Sequence, residues 1–162
     1  MSTQPVPSTG KEEFLLSRGD RREILVAEHH VLRRQLEELR ENAGRLLAGK
    51  DNATIELIRT LSTLQSLLRD HLDHEEALLE PVLEKIDPWG PVRLERLHQE
   101  HAHQRAWLST LHNALSTAAS VEDLALQSFT LCDALFIDMV HEERDLFSAL
   151  RDEMVHLDVG EN

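Results

Sequence analysis

Four apolar stripes run through this chain at helical spacing, and each is interrupted by a histidine or a carboxylate. The first passes through Leu25, His29, Leu32, Leu36, Leu39 and Ala43, and the second through Leu57, Leu61, Leu64, Leu68, His71, Glu75, Leu78 and Val82. The third takes in Leu94, Leu97, His101, Gln104, Leu108, Leu111 and Leu115. The fourth takes in Leu124, Ser128, Leu131, Leu135, Asp138, Glu142 and then Leu146 or Asp145. Steps alternating three and four keep residues on one side of a helix, so these polar groups fall on faces that must form the core. Burying an unpaired carboxylate costs several kcal/mol, and a whole domain has a net stability of only about 5–15 kcal/mol. Four helices cannot each carry that cost separately. They can if the groups meet and share a cation, and imidazole with carboxylate suits iron, manganese or zinc.

The local signals divide the chain to match. Residues 1–18 read as a flexible N-terminal tail, with Pro5, Pro7, Ser8, Thr9 and Gly10 and no apolar period. A first helix is predicted from Asp20, with Glu23 as its capping-box partner, to Ala48, stopping at Gly49. Asp51 or Asn52 can cap a second helix that runs to Ile86 with Pro81 inside it. Residues 87–91 read as a turn, with Pro91 at the first position of a third helix ending near Ala118. Ser120 with Asp123 opens a fourth helix, predicted to reach His156. No stretch alternates as a strand does. The expectation is an all-α, antiparallel up-down-up-down four-helix bundle over residues 19–157, with 158–162 as a C-terminal tail.

Charge and cysteine content remove several function classes. Seventeen basic residues against thirty acidic ones leave a formal charge of −13, which argues against nucleic acid or an anionic membrane as partner. The single cysteine, Cys132, rules out an intrachain disulfide and the several thiolates of a zinc-finger or iron–sulfur site. No apolar run approaches a membrane span and no secretory signal is visible, so a soluble, cytoplasmic protein is expected. Without tyrosine there is neither a tyrosyl radical nor a tyrosine ligand.

The interrupting residues also repeat. Glu28-His29 with Arg33, Leu36 and Leu39 matches Glu100-His101 with Arg105, Leu108 and Leu111. His74-Glu75-Glu76 with Leu79 and Leu83 matches His141-Glu142-Glu143 with Leu146 and Leu150. His71 and Glu75 are one turn apart, as are Asp138 and Glu142. The chain therefore reads as two helical hairpins related by a pseudo-twofold, each giving half a site, which suits two adjacent metal ions. His74 remains a ligand or a supporting group. His30, His98 and His103 point off the seams, and His112 and His156 read as solvated.

The order Glu28-His29-x-x-x-Arg33, His71-x-x-x-Glu75-Glu76 with Leu79-x-Pro81, Glu100-His101-x-x-x-Arg105 and His141-Glu142-Glu143 resembles the hemerythrin-like HHE cation-binding domain, over about residues 20–155. The resemblance implies a four-helix bundle around two non-haem, carboxylate-bridged iron ions. Such proteins bind dioxygen, sense oxygen or redox state, handle peroxide or nitric oxide, or serve iron repair and homeostasis. It implies His29, His71, Glu75, His101 and Glu142 as ligands, with Glu75 and Glu142 bridging. The family usually has a histidine four residues before the second bridging carboxylate; this chain has Asp138. Either Asp138 is the ligand there, or His141 is, with Asp145 beyond it. Leu97 and Arg105 flank His101 where a second histidine would stand, so redox chemistry or sensing is expected rather than simple reversible oxygen carriage. Three functions fit these residues: a di-iron protein acting on dioxygen, peroxide or nitric oxide; an iron-homeostasis protein without turnover; and a metal-free acidic bundle that binds a basic partner.

Overall fold

The computed structural model describes residues 16–116, 120–148 and 150. The first helix, α1 (Arg18–Leu47), starts two residues before the predicted position. Ser17 is extended at φ −63° and ψ 161°, and its hydroxyl accepts the Asp20 N–H. The Asp20 carboxylate in turn accepts the Ser17 N–H at 3.1 Å. Asp20 is thus the reciprocal partner in a capping box and not the cap itself. The helix ends at Leu47, and Gly49 just beyond takes a left-handed φ of +63°, which glycine adopts without strain.

Helix α2 (Ala53–Ile86) follows Asn52, which is itself left-handed at φ 62° and makes no side-chain cap bond. Asn52 tolerates a tight corner rather than capping a helix. Pro81 lies within α2. The Asp87 carboxylate accepts the Trp89 N–H at 2.7 Å and holds Arg93 at 2.8 Å, which turns the chain into α3 (Gly90–Ser116). A Cβ placed on Gly90 would sit 1.7 Å from the Leu83 carbonyl oxygen, so only glycine lets α3 leave this close to α2. Pro91 occupies the first turn of α3. The predicted end of this helix at Ala118 lies outside the described residues.

Helix α4 (Val121–Asp145) is capped by the Ser120 hydroxyl, which accepts the Asp123 N–H at 3.0 Å. It stops well short of the predicted His156, and residues from 151 on lie outside the described ones. The Glu142 carbonyl accepts the N–H of both Leu146 and Phe147, each at 2.9 Å. That tight turn folds Phe147 and Leu150 inward, where both are buried. The gain from burying an aromatic ring here ends the helix without a glycine or proline.

α1 packs on α2 and α4, α2 on α3, and α3 more loosely on α4, closing a four-membered ring. The four helices pack together as a four-helix bundle. Its interior is not one core but two. A larger cluster of leucines includes Leu36, Leu39, Leu57, Leu64, Leu111 and Leu131. A smaller one holds Leu25, Leu78, Leu79, Leu83, Leu97, Phe147 and Leu150. Along every helix a buried polar residue separates the two. Among the described residues α4 is long and apolar enough to cross a membrane, which qualifies the expectation that no stretch is. Its Leu124, Leu131, Leu135 and Glu142 are buried, while Leu126, Ile137 and Val140 are exposed. Cys132 is buried, donates to the Leu36 carbonyl at 3.3 Å, and has its pKa pushed up by burial to about 11, which leaves an inert thiol.

Candidate metal centre

Between the two leucine clusters, His29 on α1, His71 and Glu75 on α2, His101 on α3 and Glu142 on α4 come together. His29 Nε2 is 3.3 Å from Glu142 Oε2, His71 Nε2 is 3.4 Å from Glu75 Oε2, and His101 Nε2 is 3.2 Å from that same Glu75 oxygen. One ligand atom from each of His29, His71, Glu75 and Glu142 lies within 4.8 Å of the others, and all four residues are buried.

Short as these separations are, His29 Nε2, His101 Nε2 and both Glu75 oxygens have no hydrogen-bond partner. Buried polar atoms in folded proteins are nearly always bonded. Imidazole nitrogens and carboxylate oxygens this close together and buried can converge on one shared cation. Nitrogen and carboxylate oxygen in that arrangement fit a transition-metal cation.

The far side of each ring supports the same reading. His29 Nδ1 lies 2.9 Å from Glu143, His101 Nδ1 lies 2.7 Å from Glu76, and His71 Nδ1 lies 2.8 Å from Glu28. An N–H at Nδ1 donating to a carboxylate leaves the Nε2 lone pair free for a cation. The carboxylates are themselves held: Arg33 meets Glu143 and Arg105 meets Glu76, both at 2.9 Å, and Glu28 also takes His74 at 2.6 Å.

The electrostatics record uncompensated negative charge at the centre. Burial, and then the facing Glu142, raise the pKa of Glu75 above the ordinary glutamate value despite His101 and His71. Burial pulls His29 and His101 down, but the surrounding carboxylates outweigh it and hold both above the ordinary histidine value. Burial likewise pushes Glu28, Glu76 and Glu143 up, yet their imidazole and arginine partners hold all three below the usual carboxylate range.

Of the seven residues singled out from the sequence, these five meet. Asp138 sits at the edge, half-buried, accepting the Gln104 amide at 3.3 Å. With His71, Gln104 and Glu142 it lines a cavity of about 10 Å³, room for about one water. His141 is exposed and faces a cleft between α3 and α4 alongside Arg93, Arg96 and Glu100. Asp145 is exposed on Arg144. His30, His103 and His112 are exposed, His98 pairs with Glu80, and His156 lies outside the described residues. Glu28, Glu76, Glu143, Arg33 and Arg105 were not singled out as site residues, although the internal repeat contains every one of them. Gln104 likewise stood in the third stripe without a role.

A family model described as the Hemerythrin HHE cation binding domain matches residues 20–157. No curated protein and no solved structure matches the chain.

Proposed function

The chain belongs to the hemerythrin HHE cation-binding family, and from that premise we propose that it holds two iron ions at the bundle centre and acts on dioxygen, peroxide or nitric oxide. The observation that carries the reading is the set of fully buried, unbonded donors, His29 Nε2, His101 Nε2 and both oxygens of Glu75, meeting from three helices. Glu75 and Glu142 would bridge the ions, and His29, His71 and His101 would complete them with Asp138 on α4. Bound iron would supply the redox chemistry, and the chain's own residues set its terms. Glu143, Glu76 and Glu28 hold the Nδ1 side of each ring and turn its Nε2 toward the centre, where a bound cation would displace any proton. The two leucine clusters exclude bulk water. The one-water cavity beside Asp138 and Gln104 suits a ligand of one or two heavy atoms. Asp138, a hard oxygen donor where imidazole is usual, favours the ferric state, which points to redox handling or sensing.

Elemental analysis after iron-replete expression, followed by absorption spectra taken anaerobically and then with air, peroxide or nitric oxide, tests this reading. About two iron per chain with a spectral change on adding one of the three ligands is the expected result. Absence of a transition metal would count against the centre. Stoichiometric zinc would keep the site and remove the redox function. Iron that responds to none of the three ligands would leave a store without turnover.

A further inference from the structure

The pseudo-twofold of the centre holds at one pair of ligands and breaks at the next. His29 with Glu142, Glu143 and Arg33 corresponds to His101 with Glu75, Glu76 and Arg105, and the paired separations are 3.3 and 3.2 Å, 2.9 and 2.7 Å, and 2.9 and 2.9 Å. The counterpart of His71 is Asp138. Where His71 is held by Glu28 at 2.8 Å, the matching residue near Asp138 is Glu100, a second carboxylate tied away to Arg96 at 2.8 Å. The group that does hold Asp138 is the Gln104 amide, and α1 has Leu32 in the place of Gln104.

The halves therefore offer a cation different things. His29, His71, Glu75 and Glu142 are all buried, and their ligand atoms already lie within 4.8 Å of one another. His101 and Asp138 stand outside that group. His101 meets it at Glu75, 3.2 Å away, and Asp138 is half-buried with an amide already on its carboxylate.

We infer that the two cation positions are unequal: the one between His29 and His71 fills first and tightly, and the one at His101 and Asp138 fills second and more weakly. This rests on the two-cation reading above. The first position has two imidazoles whose orientation is already fixed, so binding orders little. The second has one imidazole and a carboxylate that must turn from Gln104 and shed water, and each adjustment subtracts from affinity. The positive charge of the first ion then opposes the second, which widens the gap. Gln104 is a positioning residue: it holds Asp138 at the cavity edge until the second ion arrives.

Anaerobic titration of the full-length, chelator-stripped protein with Fe²⁺, with free and bound metal separated by dialysis, reads this directly. Two steps about tenfold or more apart in affinity are expected. His71→Ala should abolish the tight step. Asp138→Asn, a near-isosteric change at a half-buried position, should remove the weak step and leave one tight iron per chain. Gln104→Leu, which frees Asp138 of the amide it must otherwise give up, should strengthen the second step alone, and Asp138→His should draw the two together. Circular dichroism melts confirm that each variant folds. Two irons bound with one common affinity, or a tight step that Asp138→Asn weakens as much as the loose one, would overturn the inference while sparing the two-cation reading. No iron bound by the unaltered protein would overturn both.

Discussion

Glu76 and Glu143 stand one residue beyond the carboxylates of the centre, and that single position changes their task from facing a cation to holding a ring. Substituting them separates the two tasks. Glu75→Gln and Glu142→Gln should each strip most of the metal from the purified protein, while His112→Ala leaves metal content unchanged; equal content in all three would sink the ligand assignment. Glu76→Ala should keep the stoichiometry and weaken metal affinity about 10- to 100-fold, read by competition with a chelator. The residues that meet at the centre were readable because they break an apolar period, and a buried charge that breaks a period has few physical excuses. The supporting carboxylates were not, because they lie about 100° off the seam. Whether such a residue reaches a histidine on another helix depends on how the helices cross, which no single stripe encodes. The same limit left Asp138 and His141 undecided. Position 138 keeps the rhythm of Leu131 and Leu135 and lines the cavity, while 141 falls on the exposed side.

At the scale of the helix, the ends matter more than the middles. All four helices were visible from their stripes, but two termini were misread. Ser17 competes with Asp20 for the first cap, because Ser-x-x-Asp reads as a capping box from either side of the start, and the structure settles it on Ser17. The end of α4 carries no glycine or proline; burial of Phe147, a tertiary fact, and the Ser148 hydroxyl on the Asp145 carbonyl mark it instead. Ser17→Ala should cost about 1 kcal/mol in denaturant unfolding, since it removes half of a reciprocal pair. Gly90→Ala should cost more, about 1–3 kcal/mol or beyond, because its methyl group would meet the Leu83 carbonyl and the backbone must shift. A thermal melt of Gly90→Ala that coincides with the parent would show that α3 need not start so close to α2.

For the molecule as a whole, the polar layer makes stability a matter of protons and metal together. Glu75, His29 and His101 have folded pKa values above their ordinary ones, so they bind protons more tightly folded than unfolded. Their contribution is present at low pH and lost as pH rises through the folded values. Glu28, Glu76 and Glu143 are lowered, so theirs is present above the ordinary carboxylate value and lost as pH falls through the lowered ones. The metal-free protein should be most stable between those ranges, and its melting temperature should fall over the interval above the ordinary histidine value of about 6.5. Bound metal competes with the same protons, so the gain in melting temperature on adding Fe²⁺ should grow over that interval; a gain independent of pH would separate binding from these groups. The two leucine clusters carry a further consequence. In the stripped protein the two are joined by shared helices but face one another across a layer of mutually repelling carboxylates, which weakens their coupling and lets them melt at different temperatures. Calorimetry of the stripped protein should give a broad transition whose van't Hoff enthalpy falls below the measured heat. Amide hydrogens around Leu25, Leu79 and Phe147, in the smaller cluster, should exchange before those around Leu39 and Leu64. Metal would then act as the coupling between two folding units, and its arrival would show as a narrowing of the melt as well as an upward shift.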